Sequence, residues 1–89
     1  MRSDILTLVR QCLAKSQGYE DGEWTDEEYD ETFDLDDLGF DSLEMVDFIL
    51  ALEKAFGVEI SDDEADEVVE MTIREIVEWV EESARGGAD

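Results

Sequence analysis

Apolar side chains near the N-terminus recur three and four residues apart, the spacing of one face of a helix. Gly18 follows as a stop signal. This stripe consists of Ile5, Leu6, Leu8, Val9, Cys12 and Leu13. The pattern predicts a first helix and the burial of Cys12 within it. Because Cys12 is the only cysteine, an intramolecular disulfide is excluded.

The apolar periodicity disappears from Tyr19 to about Asp41, where acidic residues dominate. This region is predicted to be a long loop, with one short helical turn started by the TDEE segment at Thr25. A loop of this length needs apolar anchors in a compact domain. The expected anchors are Trp24, Phe33, Leu35 and Leu38.

Helical spacing returns in the segment DSLEMVDFILALEKAF, which begins at Asp41. Asp41 and Glu44 stand at the spacing of a capping box, and Gly57 marks the end of this second helix. Acidic residues, namely Glu44, Asp47 and Glu53, are predicted to point away from the core. The predicted inward stripe is Leu43, Val46, either Ile49 or Leu50, and Phe56.

Capping-box spacing occurs twice more, at Ser61 with Glu64 and at Thr72 with Glu75. These two signals predict a short third helix and a longer fourth one. The chain has no proline, no internal repeat and no β-type alternation. We therefore predict an all-α four-helix bundle, with three main helices, one short helix and a long loop between helices one and two. A single domain is expected over residues 1–84, followed by a frayed tail at 85–89.

The charge of the chain limits its partners. A net charge of -22, from 28 acidic and 6 basic residues, repels nucleic acids and anionic membranes and favours enzymes with basic patches. No apolar run reaches membrane-spanning length and no signal-like segment is present, so we predict a cytoplasmic monomer without stable membrane insertion.

Catalytic chemistry is also restricted by composition. With no histidine, the usual general-base and nucleophile arrangements cannot be assembled, so we predict a protein that is not an enzyme. An EF-hand alignment beginning at Asp34 fails because Leu38 and Met45 occupy positions that require oxygen ligands. No metal site is predicted, and only weak, charge-driven binding of divalent cations is expected.

Ser42 is predicted to lie at the first position of helix two, near the positive end of the helix dipole. On spacing alone, two interpretations stay open: Ser42 simply begins a helix, or its position favours an attached phosphate.

The surrounding run DDLGFDSLEMVDFILALEKAFGVEIS resembles the acyl carrier proteins, which belong to the phosphopantetheine-dependent carrier family. The DSL segment matches the motif whose serine receives 4'-phosphopantetheine, and DLG precedes it at the family's spacing. The segment TIREIVEWV is similar to the last helix of the family. Further matching positions are Val46, Ala51, Leu52, Glu53, Phe56, Glu59 and Ile60.

This resemblance implies a carrier whose Ser42, flanked by Asp41 and Leu43, is linked to phosphopantetheine from coenzyme A by a phosphopantetheinyl transferase. The arm would hold acyl groups as thioesters for acyl-transfer, condensing or adenylating enzymes of fatty-acid, polyketide or specialised lipid synthesis. The residues implied in partner binding are Glu44, Met45, Asp47 and Glu53.

Two other functions stay open at this point. The first is an aminoacyl or peptidyl carrier, which shares the tether but is loaded by an adenylating enzyme. The second is an unmodified acidic domain that binds proteins or buffers calcium. Lys54 interrupts the acidic face where an acid is common in the family, which favours a specialised pathway.

Overall fold

The computed structural model describes residues 2–20 and 23–86. Over this range the chain forms four helices and no strand, which confirms the predicted all-α fold with one short helix. The helices are α1, Arg2–Ser16; α2, Ser42–Phe56; α3, Asp62–Val68; and α4, Ile73–Gly86. None of these helices is both long and apolar enough to cross a membrane.

Three of the four helices begin at the predicted capping residues. In each case the side chain of the capping residue accepts a hydrogen bond from a backbone N–H three residues later, and a glutamate there accepts one in return. The pairs are Asp41–Glu44, Ser61–Glu64 and Thr72–Glu75. Because these bonds satisfy N–H groups that the first helical turn leaves without partners, local sequence alone determines where each helix starts.

The core lies where α1, α2 and α4 meet, and α3 contributes mainly Val68. Val9 and Leu13 of α1 are fully buried, as is Phe48 of α2, whose ring packs edge-on against the ring of Phe40. Cys12 is buried with them, as predicted, and burial raises the pKa of its thiol to about 11. The thiol is therefore neutral at physiological pH and contributes to packing.

The long loop between α1 and α2 is held to the helices by apolar side chains. Leu35 is fully buried, and Trp24 and Leu38 are half-buried against the core, as predicted. Phe33 is an incorrect prediction, because its side chain is 37% exposed. Its carbonyl oxygen accepts a hydrogen bond from the Ile73 N–H at 2.9 Å, so the backbone makes the anchoring contact instead.

Tyr29 is an additional anchor that the sequence pattern did not indicate. It is only 1% exposed, its ring contacts Trp24 edge-on, and its hydroxyl donates a hydrogen bond to the side-chain oxygen of Gln17. The Nε of Arg10 donates to the Tyr29 carbonyl oxygen at 2.8 Å, and the guanidinium pairs with Asp26 at 3.5 Å. Polar contacts from α1 thus fix the most acidic part of the loop.

The last helix runs past the predicted start of the C-terminal tail. Helix α4 extends to Gly86 and so includes the first two residues of the predicted tail, while residues 87–89 lie outside those that the structure describes. The single-domain boundary at residue 84 stays a prediction.

Candidate functional site

Ser42 is the first residue of α2, and the capping box on either side of it fixes its position. Asp41 Oδ1 accepts a hydrogen bond from the Glu44 N–H at 2.8 Å, and Glu44 Oε1 accepts one from the Asp41 N–H at 3.0 Å. The Ser42 side chain is exposed, and its Oγ makes no hydrogen bond within the described part of the chain. The fold therefore presents a hydroxyl to solvent at a rigid helix start.

The electrostatic surroundings of Ser42 suit a phosphate ester. The first-turn N–H groups of a helix carry partial positive charge and favour an anion beside them. The Asp41 carboxylate already accepts a hydrogen bond from one of these N–H groups, that of Glu44. The same contact fixes both the start of the helix and the position of Ser42. A phosphodiester on Ser42 would lie next to the remaining positive end of the helix.

A cavity of about 380 Å³ opens between α2 and α3 next to Ser42. Met45, Ile49 and Val69 form part of its apolar wall, and Ser42 lies on its rim. Asp62, Asp66 and Glu53 supply acidic groups to the same cavity. The site therefore combines an exposed hydroxyl with an adjacent apolar space large enough for a small ligand.

An exposed apolar row on α2 corrects part of the predicted inward stripe: Leu43 and Val46 are wrong, whereas Ile49 is buried and Phe56 packs half-buried against the core. Leu43, Val46 and Leu50 are 77%, 56% and 52% exposed. The side chains that α2 buries are Phe48, Ile49 and Leu52. The row faces outward, and two of its members, Val46 and Leu50, also line the cavity between α2 and α3.

The sequence carried a signal for this arrangement. Met45, Ile49, Leu52 and Phe56 form a second stripe at helical spacing, beside the stripe that starts at Leu43. A helix packed against a bundle on one side can bury only one of two such stripes. Two apolar stripes on one short helix therefore indicate that one stripe is exposed, which spacing alone did not assign.

The predicted partner-binding residues occupy different environments. Asp47 is exposed, whereas Glu44 is half-buried and serves the capping box. Met45 is half-buried and packs against the core. Glu53 is also half-buried, and its Oε2 accepts a hydrogen bond from the Ile60 N–H at 2.9 Å, which ties the segment before α3 to α2. The binding role of these four residues stays a prediction. In addition, Glu44, Met45 and Glu53 each make a contact that stabilises the fold.

Acidic residues do not converge into a metal centre in residues 2–20 and 23–86. No group of three or more cysteine, aspartate or glutamate side chains within these ranges is arranged to hold an ion. The acidic loop is instead spread over the surface, and several of its carboxylates accept hydrogen bonds from nearby backbone. Asp30, for example, accepts bonds from the N–H and the hydroxyl of Thr32, which lower the pKa of its carboxyl.

A compact helical bundle with an exposed serine at the start of α2 and an apolar cavity beside it is the arrangement expected of a carrier domain. Residues 8–80 match the sequence profile of the family described as "Phosphopantetheine attachment site". Acyl carrier protein 2 of Pseudomonas aeruginosa is 40% identical over 80 residues, which cover 90% of this chain and 94% of that protein. The acyl carrier protein of Rubrobacter xylanophilus is 38% identical over 81 residues, covering 91% and 93%.

The chain therefore belongs to the acyl carrier protein family. Its cofactor is phosphopantetheine, and it acts as a non-catalytic carrier. Proteins of this family interact with phosphopantetheinyl transferases and with enzymes that handle acyl groups. The family match accounts for the missing histidine, because the carrier itself performs no acid–base step.

Proposed function

We propose that Ser42 carries the phosphopantetheine arm and that the chain presents acyl thioesters to enzymes with basic docking surfaces. The observation that carries this proposal is the exposed Ser42 hydroxyl, without a hydrogen-bond partner among the described residues, at the first turn of α2 within the DSL motif. The thiol of the arm holds the acyl group as a thioester, which keeps its carbonyl electrophilic.

The attachment reaction requires little of this chain beyond an accessible oxygen. Ser42 Oγ forms a bond to the phosphorus of coenzyme A that bears the pantetheine, the bond from that phosphorus to the bridging pyrophosphate oxygen breaks, and the adenosine bisphosphate portion leaves. The serine proton passes to a base of the transferase. Asp41 and Leu43 flank the residue that bears the reacting oxygen. Asp41 fixes the start of the helix, and Leu43 offers an exposed apolar contact to the transferase.

The exposed row Leu43–Val46–Leu50 is the proposed apolar centre of the partner interface. Interfaces combine a desolvated apolar centre with a charged rim, and the flanking acids Glu44 and Asp47 supply charge beside this row. The net charge of -22 steers basic enzymes towards the chain and opposes self-association, which supports a monomer. Because the arm comes from coenzyme A, we propose that the chain acts in the cytoplasm.

The cavity between α2 and α3 is the proposed shelter for an acyl chain. Its apolar wall lies next to Ser42, so a chain attached there can bury methylene groups without leaving its own domain. Each buried methylene contributes about 0.8 kcal/mol. This shelter serves fatty-acid, polyketide or specialised lipid cargo alike, and Lys54, on the otherwise acidic α2, supports a specialised pathway.

The test is the intact mass of the protein after incubation with coenzyme A and a broad-specificity phosphopantetheinyl transferase. Wild type is expected to gain one phosphopantetheine, and Ser42→Ala none. Ser61→Ala is the matched control, because Ser61 also begins a helix but its Oγ accepts a bond from the Glu64 N–H. Loss of the increment in Ser61→Ala, or its persistence in Ser42→Ala, would contradict the assignment.

A further inference from the structure

A second groove, of about 540 Å³, lies between α1 and α2 on the side of α2 away from α3. Its wall is mostly apolar and includes Cys12, which is buried. From α1 it includes Leu8 and Lys15, and from α2 it includes Leu50 and Lys54. Ser42 does not line this groove, and Leu50 is a lining residue that the groove shares with the α2–α3 cavity.

The groove concentrates positive charge on a strongly acidic protein. Of the basic side chains that the structure describes, Arg10 pairs with Asp26 and Arg74 pairs with Glu31. The other two, Lys15 and Lys54, form no ion pair among the described residues, and both line this groove. Its lining contains two lysines and a single acid, Asp47, the reverse of the balance in a chain of net charge -22.

The groove adjoins the attachment site through Leu50, which lines both this groove and the α2–α3 cavity. At about 1.5 Å per residue along α2, Leu50 lies roughly 12 Å and Lys54 roughly 18 Å from Ser42. An extended phosphopantetheine arm is about as long as five residues of extended backbone, roughly 17 Å. The arm with its cargo can therefore extend past Leu50 to Lys54, and Lys15 lines the same groove.

We propose that this groove binds the anionic far end of a dicarboxylic acyl chain carried on Ser42. The inference rests on the proposed attachment at Ser42 and adds the class of cargo. The two lysines would pair with the terminal carboxylate, while Leu8 and Leu50 contact the methylene chain.

A tethered anion is favoured over an acidic partner protein as the occupant. The overall charge repels an acidic protein before it reaches the groove. A carboxylate attached through a short flexible arm is instead held near the lysines at an effective concentration on the order of millimolar. The lysines can then attract the carboxylate without the entropic cost of bringing two separate molecules together.

The experiment compares two cargoes of equal length on the isotopically labelled full chain. A broad-specificity transferase attaches amide-linked octanoyl and octanedioyl analogues of the acyl arm, and intact mass verifies loading. Backbone amide resonances of Leu8, Cys12, Lys15, Ala51 and Lys54 then report on the groove. Octanedioyl cargo is expected to shift these resonances relative to octanoyl cargo, whose shifts lie in the α2–α3 cavity.

Lys54→Gln and Arg74→Gln each remove one positive charge, so comparing them separates an effect of the groove from an effect of the net charge of the protein. Lys54→Gln is expected to reduce the octanedioyl-specific shifts, and the further change Lys15→Gln to abolish them. Arg74→Gln also removes one positive charge but lies outside the groove, paired with Glu31, and is expected to leave the shifts intact.

The outcomes separate this inference from the carrier function. Complete loading with identical groove resonances for both cargoes, or octanedioyl shifts that persist without the two lysines, would overturn the cargo assignment and leave the carrier role standing. A folded protein that accepts neither cargo would overturn attachment at Ser42, and the cargo assignment with it.

Discussion

The long loop and helix α2 differ in how their sequence pattern relates to the burial of their apolar side chains. The loop is irregular and acidic, yet it buries Tyr29 and Leu35 almost completely. Helix α2 is regular and capped at both ends, yet it leaves Leu43 and Leu50 largely exposed. The segment without periodicity is thus committed to stability, and the segment with clear periodicity carries the surface available for function.

The difference follows from what each segment needs in order to stay folded. A helix satisfies its own backbone hydrogen bonds, so α2 is held by one buried stripe and can expose the other. The loop has no continuous ladder: local turns, such as the bond from the Phe40 N–H to the Leu35 carbonyl, satisfy part of its backbone, and the remaining groups need partners elsewhere. The loop therefore depends on tertiary contacts such as those of Arg10 with the Tyr29 carbonyl and of Ile73 with the Phe33 carbonyl.

The largest expected effect is on the loop anchor. Tyr29→Ala removes a fully buried ring and is expected to lower the free energy of unfolding by about 3–5 kcal/mol, measured by urea denaturation. Leu43→Ala is the comparison on α2 and is expected to change it by less than about 0.5 kcal/mol, because the side chain is 77% exposed. Equal losses at the two positions would remove the contrast between loop and helix.

A smaller loss is expected when the polar tie to the loop is cut. Arg10→Gln removes a charged hydrogen bond to the Tyr29 carbonyl and the ion pair with Asp26, at an expected cost of about 2 kcal/mol. Arg74→Gln is the matched control, since its ion pair with Glu31 is exposed and worth at most about 1 kcal/mol. Equal unfolding midpoints for Arg10→Gln and wild type would show that the loop does not depend on this contact.

On α2 the expected effect is on partner use and not on stability. Leu43→Asp is expected to lower the catalytic efficiency of the transferase by about tenfold, equivalent to about 1.4 kcal/mol, with an unchanged unfolding midpoint. Ala55→Asp, at an exposed position of α2 outside the row, serves as the control for added charge. Transferase kinetics identical in Leu43→Asp and wild type would exclude the row as a docking surface.

Alkaline pH is expected to destabilise the protein gradually, from about pH 9 to about pH 10.5. Burial raises the pKa of Tyr29 to about 12, with smaller contributions from the nearby side chains of Tyr19, Glu28 and Glu44, and burial raises the pKa of Cys12 to about 11. Both groups then ionise more readily in the unfolded chain. Their stabilising contribution is complete below the ordinary pKa values and is lost as pH rises through the raised ones.

Unfolding midpoints measured across this range give the slope of stability against pH. The double variant Tyr29→Phe/Cys12→Ala tests whether these two groups cause that slope. The variant is expected to start from a lower stability but to lose less as pH rises. A slope equal to that of wild type would assign the alkaline loss to other groups.

Sequence reasoning succeeded where the structure depends on local contacts. The starts of α2, α3 and α4 follow from side chains that bond backbone three residues away, so Asp41, Ser61 and Thr72 could be assigned directly. The burial of Tyr29 could not, because it depends on Arg10 in α1 and on Gln17 just after α1, which the loop reaches only through folding.

The outward side of α2 was predicted incorrectly for a related reason. The spacing of Leu43 and Val46 fits an inward stripe as well as an outward one, and only the packing of the other helices decides between them. The candidate serine was less affected, because its position depends on the helix start and on a short motif. The groove containing Lys15 and Lys54 joins residues from two helices, so no local pattern indicated it.

The central claim is that the arm is attached at Ser42, and the most direct test is to locate the added mass along the loaded protein by tandem mass spectrometry. Between Phe33 and Ile60 the chain contains no hydroxyl-bearing side chain other than Ser42. The account predicts that fragments confined to this segment carry the whole phosphopantetheine increment. An increment found only in fragments outside 33–60 would contradict it.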